Sequence, residues 1–120
     1  MIIIAGDLHG HFWSINGLIN KEPRITMILQ CGDMGWYPRC TYSYEKRRKF
    51  ENGDVKIYFC DGNHDDLEVL MKYDKPTELV PNVTYMPRGS VLQLPDKRKV
   101  LFIGGAFSVD RNSPMRGHRN

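Results

Sequence analysis

The stretch "IIIAGDLHGHFWSINGLINK", Ile2 to Lys21, decides the fold class. Three isoleucines and an alanine lead into Gly6-Asp7, and after a second glycine Phe12, Ile15 and Ile19 recur at near-helical spacing. β-branched side chains suit a pleated, buried strand, and the later spacing suits an amphipathic helix. Strand, Gly/Asp turn and helix in that order form the start of a βα unit, from which parallel sheets are built.

Two further segments follow the same plan without being sequence repeats. Ile25–Gln30 leads into "CGDMG" and then a partly basic segment, Thr41 to Glu51, expected to be helical. Val55–Cys60 leads into "DGNHDD" and then "LEVLMK", with Leu67, Leu70 and Met71 on one helical face. After Pro76 the rhythm changes: "VTYM", "SVLQL" and "KVLFIGG" are short strands broken by "PRG" and "PDKR", which read as antiparallel hairpins. Pro76, Pro81, Pro87 and Pro95 fall outside the strand cores, as a residue without an N–H must. The expected class is therefore α/β, with mixed β-sheets flanked by helices: N-terminal βαβαβα units followed by antiparallel strands. The polar, aperiodic end sets a single domain over 1–111 apart from a tail at 112–120.

Composition narrows the function classes. At 120 residues, 41% hydrophobic and 26% charged, the chain is long enough for one modest core and too apolar for disorder. Seventeen basic against 14 acidic residues leave a net charge of only +3, which gives weak support to nucleic-acid binding. No stretch is long enough to span a membrane, and the four apolar residues after Met1 lack the basic region of a signal peptide. Cys31, Cys40 and Cys60 form no CxxC pair, so a reduced, cytoplasmic protein without disulfides or structural zinc is expected.

The chemistry gathers where the strands end. In open α/β sheets ligands bind beyond the carboxyl ends of the strands, and those ends carry Asp7 and His9, then Asp33, then Asn63 and His64. Each alone has an ordinary reading as a turn residue, a satisfied histidine or, for Asn63 and Asp65, a helix N-cap. Together they would repel or stay unsatisfied unless a cation sat among them. Mixed nitrogen and oxygen donors favour first-row transition ions over calcium. Asp7 and His9 would hold one ion, Asp33 could bridge to a second, and Asn63 would add a neutral oxygen. Two such ions clamp both oxygens of an in-line phosphoryl displacement. A hydroxide held by them would attack, and His64 could give a proton to the leaving oxygen.

These motifs, "GDLHG", "GDMG" and "GNHD" in order, resemble the first three of the calcineurin-like metallophosphoesterases, of the small prokaryotic and phage type; "IGGAFSVDR" is similar to a strand-and-loop segment of the same proteins. The resemblance implies a ββ sandwich with outer helices and hydrolysis of phosphate mono- or diesters. It implies Asp7 and His9 at a first metal, Asp33 bridging, Asn63 at a second and His64 as general acid, with Asp65 orienting His64 or capping the helix. It implies two divalent transition ions (Mn, Fe or Zn), with a phosphorylated small molecule or nucleotide as partner. Trp36, after the bridging aspartate, walls the cleft or fills core, and core is the favoured role.

Two departures qualify the match. The family closes its centre with later histidines, whereas this chain has only His118 in "MRGHRN", with Asn120 where a second would stand; His11, its remaining histidine, opens the first helix. The chain thus reads as the first portion of the domain, able to bind one ion or two. "GDMGWYPR" also lacks the further aspartate of the serine/threonine protein phosphatases. Beside the hydrolase stand two other readings: a non-catalytic metal-binding module, self-associating through the open sheet edge near Leu101–Ile103, and a nuclease or nucleotide phosphodiesterase guided by "EKRRK".

Overall fold

A computed structural model of the chain describes residues 1–36 and 53–105. β1 (Ile2–Ala5), β2 (Met27–Cys31) and β3 (Lys56–Cys60) run parallel, with Ile3 opposite Ile28 and Leu29 opposite Tyr58. The connection from β1 to β2 carries helix α1 (Phe12–Lys21), and β3 is followed by one turn of helix, α2 (Leu67–Leu70). β4 (Thr77–Val80) and β5 (Val83–Tyr85) form an antiparallel hairpin, and β5 also lies parallel to β3. The main sheet therefore has the order β1-β2-β3-β5-β4, and β6 (Val91–Gln93) with β7 (Lys99–Leu101) makes a separate antiparallel pair. This is the expected mixed α/β architecture.

Alternation along the strands divides the core between the two faces of the sheet. Ile28, Ile57, Phe59, Val83 and Tyr85 pack with Phe12 and Ile15 of α1 and Leu70 of α2. On the other face Leu29 and Cys60 meet Met86 and Phe102, with Leu92 and Val100 of the β6–β7 pair beside them. Trp36 is buried against Phe59, ring centroids 6.4 Å apart, so its role is core.

Several expectations need correction. The segment after Pro76 is not made of hairpins alone, because β5 joins the parallel sheet beside β3. β4 lies in "TELV", between two prolines, where no strand is evident from the pattern. "LEVLMK" supplies one helical turn rather than a longer helix: Met71 is the C-cap, and Lys72 and Tyr73 close i→i+3 contacts to Val69 and Leu70. The expected helix at Thr41–Glu51, the "EKRRK" run, His118 and the polar tail lie outside the described residues. Cys31 and Cys60 are free thiols, the first exposed and the second buried.

Candidate metal centre

The loops after β1 and β2 continue the pairing of their strands. Asp7 N–H donates to the Gly32 carbonyl (3.3 Å), His9 N–H to Asp33 (2.8 Å) and Gly10 N–H to Met34 (3.0 Å). The approach is close enough that a Cβ on Gly35, which has φ +83°, would collide with the backbone of His9 and Gly10. Asp7, His9 and Asp33 themselves have φ of 51°, 47° and 52°. Left-handed backbone is unfavourable for residues with a Cβ, and such strain persists where surrounding bonds over-determine it. Three strained side-chain-bearing residues thus lie together on one rim.

The turn after β3 docks onto the same rim. His64 N–H donates to Asp33 Oδ1 (2.8 Å), and His64 Nδ1 lies 3.1 Å from Asp33 Oδ2. His9 Nε2 stands 3.8 Å from Asp33 Oδ2 and 3.8 Å from Asp7 Oδ1, with the His9 and His64 rings edge-on at 5.4 Å. One donor atom each from His9, Asp33 and His64 falls within 4.8 Å of the others. Two nitrogens and a carboxylate oxygen at that separation fit a single first-row transition ion. The Asp33 side chain is 10% exposed, while that of Asp7 is 81% exposed. Asp7, Asp33 and Asn63 line a cleft of about 350 Å³ together with apolar residues that include Leu29, Phe102 and Ile103. His64, expected as a proton donor, thus lies in the same cluster as the expected ligands His9 and Asp33; Asp7 borders it at His9, and Asn63 borders the cleft.

Asp65 holds the rim from beneath. Its Oδ1 accepts N–H groups from Gly35 (2.8 Å) and Trp36 (3.1 Å), and its Oδ2 accepts those of Gly62 (2.8 Å) and Met34 (3.2 Å). A carboxylate offers about four lone-pair sites, so these bonds fill the capacity that orienting His64 or capping α2 would need. Asp66 occupies the N-cap position instead. Burial raises the Asp65 carboxyl above its ordinary range, and the four backbone N–H groups oppose that rise. Asp65 therefore ties the Asp33 loop to the Asn63-His64 turn. Sequence spacing carries no sign of this role, because three of its four partners are backbone groups about 30 residues away.

His11 is the N-cap residue of α1 without a side-chain cap bond, and its ring stacks on Trp13 at 5.9 Å. No helix among the described residues is long and apolar enough to cross a membrane. A family model described as calcineurin-like phosphoesterase matches residues 1–119. No curated protein and no solved structure was found to match the chain.

Proposed function

The chain belongs to the calcineurin-like phosphoesterase family, and on that premise we propose that it hydrolyses phosphate mono- or diesters of a small molecule or nucleotide at the rim formed by Asp7, His9, Asp33, Asn63 and His64. The observation that carries this reading is the convergence of His9, Asp33 and His64 donor atoms within 4.8 Å. A divalent ion bound there would set positive charge against the phosphoryl oxygens and acidify water. Asp33, largely buried, would be the central ligand, with His9 and Asp7 to one side and Asn63 to the other.

His64 is the group to handle the proton. In that role it would leave the ion to Asp7, His9, Asp33 and Asn63, with Nδ1 beside Asp33 Oδ2 (3.1 Å) and Nε2 passing a proton to the leaving oxygen. The cleft that Asp7, Asp33 and Asn63 share with Leu29 and Phe102 would take the ester, its phosphate toward the three polar side chains and its organic part toward the apolar ones. The test is hydrolysis of p-nitrophenyl phosphate and its bis-ester with added Mn²⁺, comparing the wild type with Asp33→Asn. Turnover that requires Mn²⁺ and is lost in the variant supports the reading; equal turnover in both sinks it. A one-ion module without turnover draws on the same observation, since three converging side chains suffice for one ion. Mn²⁺ binding with no hydrolysis of either ester would favour it.

A further inference from the structure

Asp61 stands directly before the Gly62-Asn63-His64 turn, and its side chain is wholly buried. Oδ1 accepts the Tyr85 hydroxyl at 3.0 Å, while Oδ2 accepts both Arg88 Nη2 (2.7 Å) and Nε (3.1 Å). The backbone carbonyl of Asp61 accepts the Gly105 N–H at 2.8 Å. The chain after β7 is shaped around this pair. A Cβ on Gly104 would strike the Asp61 carboxylate, and one on Gly105, where φ is +84°, would strike the Arg88 guanidinium. The end of β3 is thereby tied to β5 through Tyr85, to the β5–β6 connection through Arg88, and to the segment following β7 through Gly105.

We propose that Arg88 is a positioning residue for the metal centre: acting through Asp61, it fixes the turn that presents Asn63 and His64 to Asp33. The inference rests on reading the rim as a metal centre. Two donors of a planar guanidinium converging on one oxygen set both the place and the direction of the carboxylate, which a single mobile donor does less well. Asp61 is separated from Asn63 by Gly62 alone, so a displaced carboxylate carries the turn with it. The contacts between His64 and Asp33 are ordinary hydrogen-bond lengths that a shift of about 1 Å would break. Without Arg88 a buried carboxylate would keep one hydroxyl donor, and exposure to water would become the better state for that end of β3.

Mn²⁺ binding measured by calorimetry on the full chain tests this, with far-UV circular dichroism checking the fold. Arg88→Met, which keeps the apolar stem, is expected to weaken Mn²⁺ binding by about 10- to 100-fold, the usual effect of losing an outer partner of a metal site. Arg88→Lys, which leaves a cation beside Asp61, is expected to recover part of that loss and covers the case in which the methionine variant fails to fold. In the double variant Arg88→Met/Asp61→Asn the two losses should not add, because both act through one contact. Wild-type Mn²⁺ affinity in folded Arg88→Met, or in Arg88→Lys if only that variant folds, overturns the inference and leaves the metal centre standing. Absence of Mn²⁺ binding by the wild type overturns both.

Discussion

Replacing Asp65 by Asn removes one carboxylate oxygen while keeping the shape of the side chain. In the wild type four backbone N–H groups, from Met34, Gly35, Trp36 and Gly62, share the two oxygens. Asn retains an acceptor for two of them and turns an NH₂ group toward the other two. Losing two bonds to a charged acceptor costs about 3–6 kcal/mol, at roughly 1.5–3 each. Part of this returns, because burial opposes the charge of Asp65 and Asn carries none. A net destabilisation of about 2–4 kcal/mol is expected, a large share of the 5–15 kcal/mol typical of a domain. With a urea slope of about 2 kcal/mol/M, the unfolding midpoint should fall by roughly 1–2 M. Asp65→Ala, which strands all four donors, should fall further. A midpoint for Asp65→Asn within about 0.3 M of the wild type would refute the clamp, since its four bonds could not then hold the two loops.

Gly35→Ala should destabilise by about 2–4 kcal/mol, combining a left-handed backbone with a Cβ pressed onto Gly10. Gly53→Ala, at φ +53° with open space around it, should cost only about 1–2 kcal/mol, and equal urea midpoints for the two would contradict the close approach of the loops. Burial pushes the Cys60 thiol up to about 11 from an ordinary value of 9.0. Iodoacetamide at about pH 8 should therefore modify exposed Cys31 well before Cys60, read by peptide mass mapping. The folded pKa being the higher one, the stability contributed by Cys60 is intact below pH 9 and is lost as pH rises toward about 11. A wild type that loses no more stability over that range than Cys60→Ala would contradict this.

The parts of the fold legible in the sequence are those whose signal is local. Ile2–Ala5 and the run ending at Cys60 show their strands through apolar runs that stop at Gly/Asp or Asp/Gly turns, and Phe12, Ile15 and Ile19 show α1 through spacing. β4 is hidden because "TELV" is short, bounded by prolines and half exposed, so it becomes a strand only by pairing with β5. The parallel pairing of β5 with β3 is a tertiary choice, made where Tyr85 packs on Phe59.

The candidate site divides in the same way. His9, Asp33 and His64 stand at strand ends in recognisable motifs, and the structure brings them together. Asp65 looks like a catalytic partner or a cap in sequence, because three backbone donors from the loop after β2 leave no mark on spacing. Arg88, in "MPRGS", reads as a turn residue, and its partner Asp61 lies 27 positions earlier.

A metal centre built on Asp33 at the ends of β1, β2 and β3 must bind a divalent ion. Its most direct test is Mn²⁺ bound per folded chain at equilibrium, compared between the wild type and Asp33→Asn. The wild type is expected to bind at least one ion, and affinity to fall by about 100-fold or more when the buried carboxylate becomes an amide, since the site then loses its central anionic ligand. Unchanged Mn²⁺ affinity in a folded Asp33→Asn chain would contradict it.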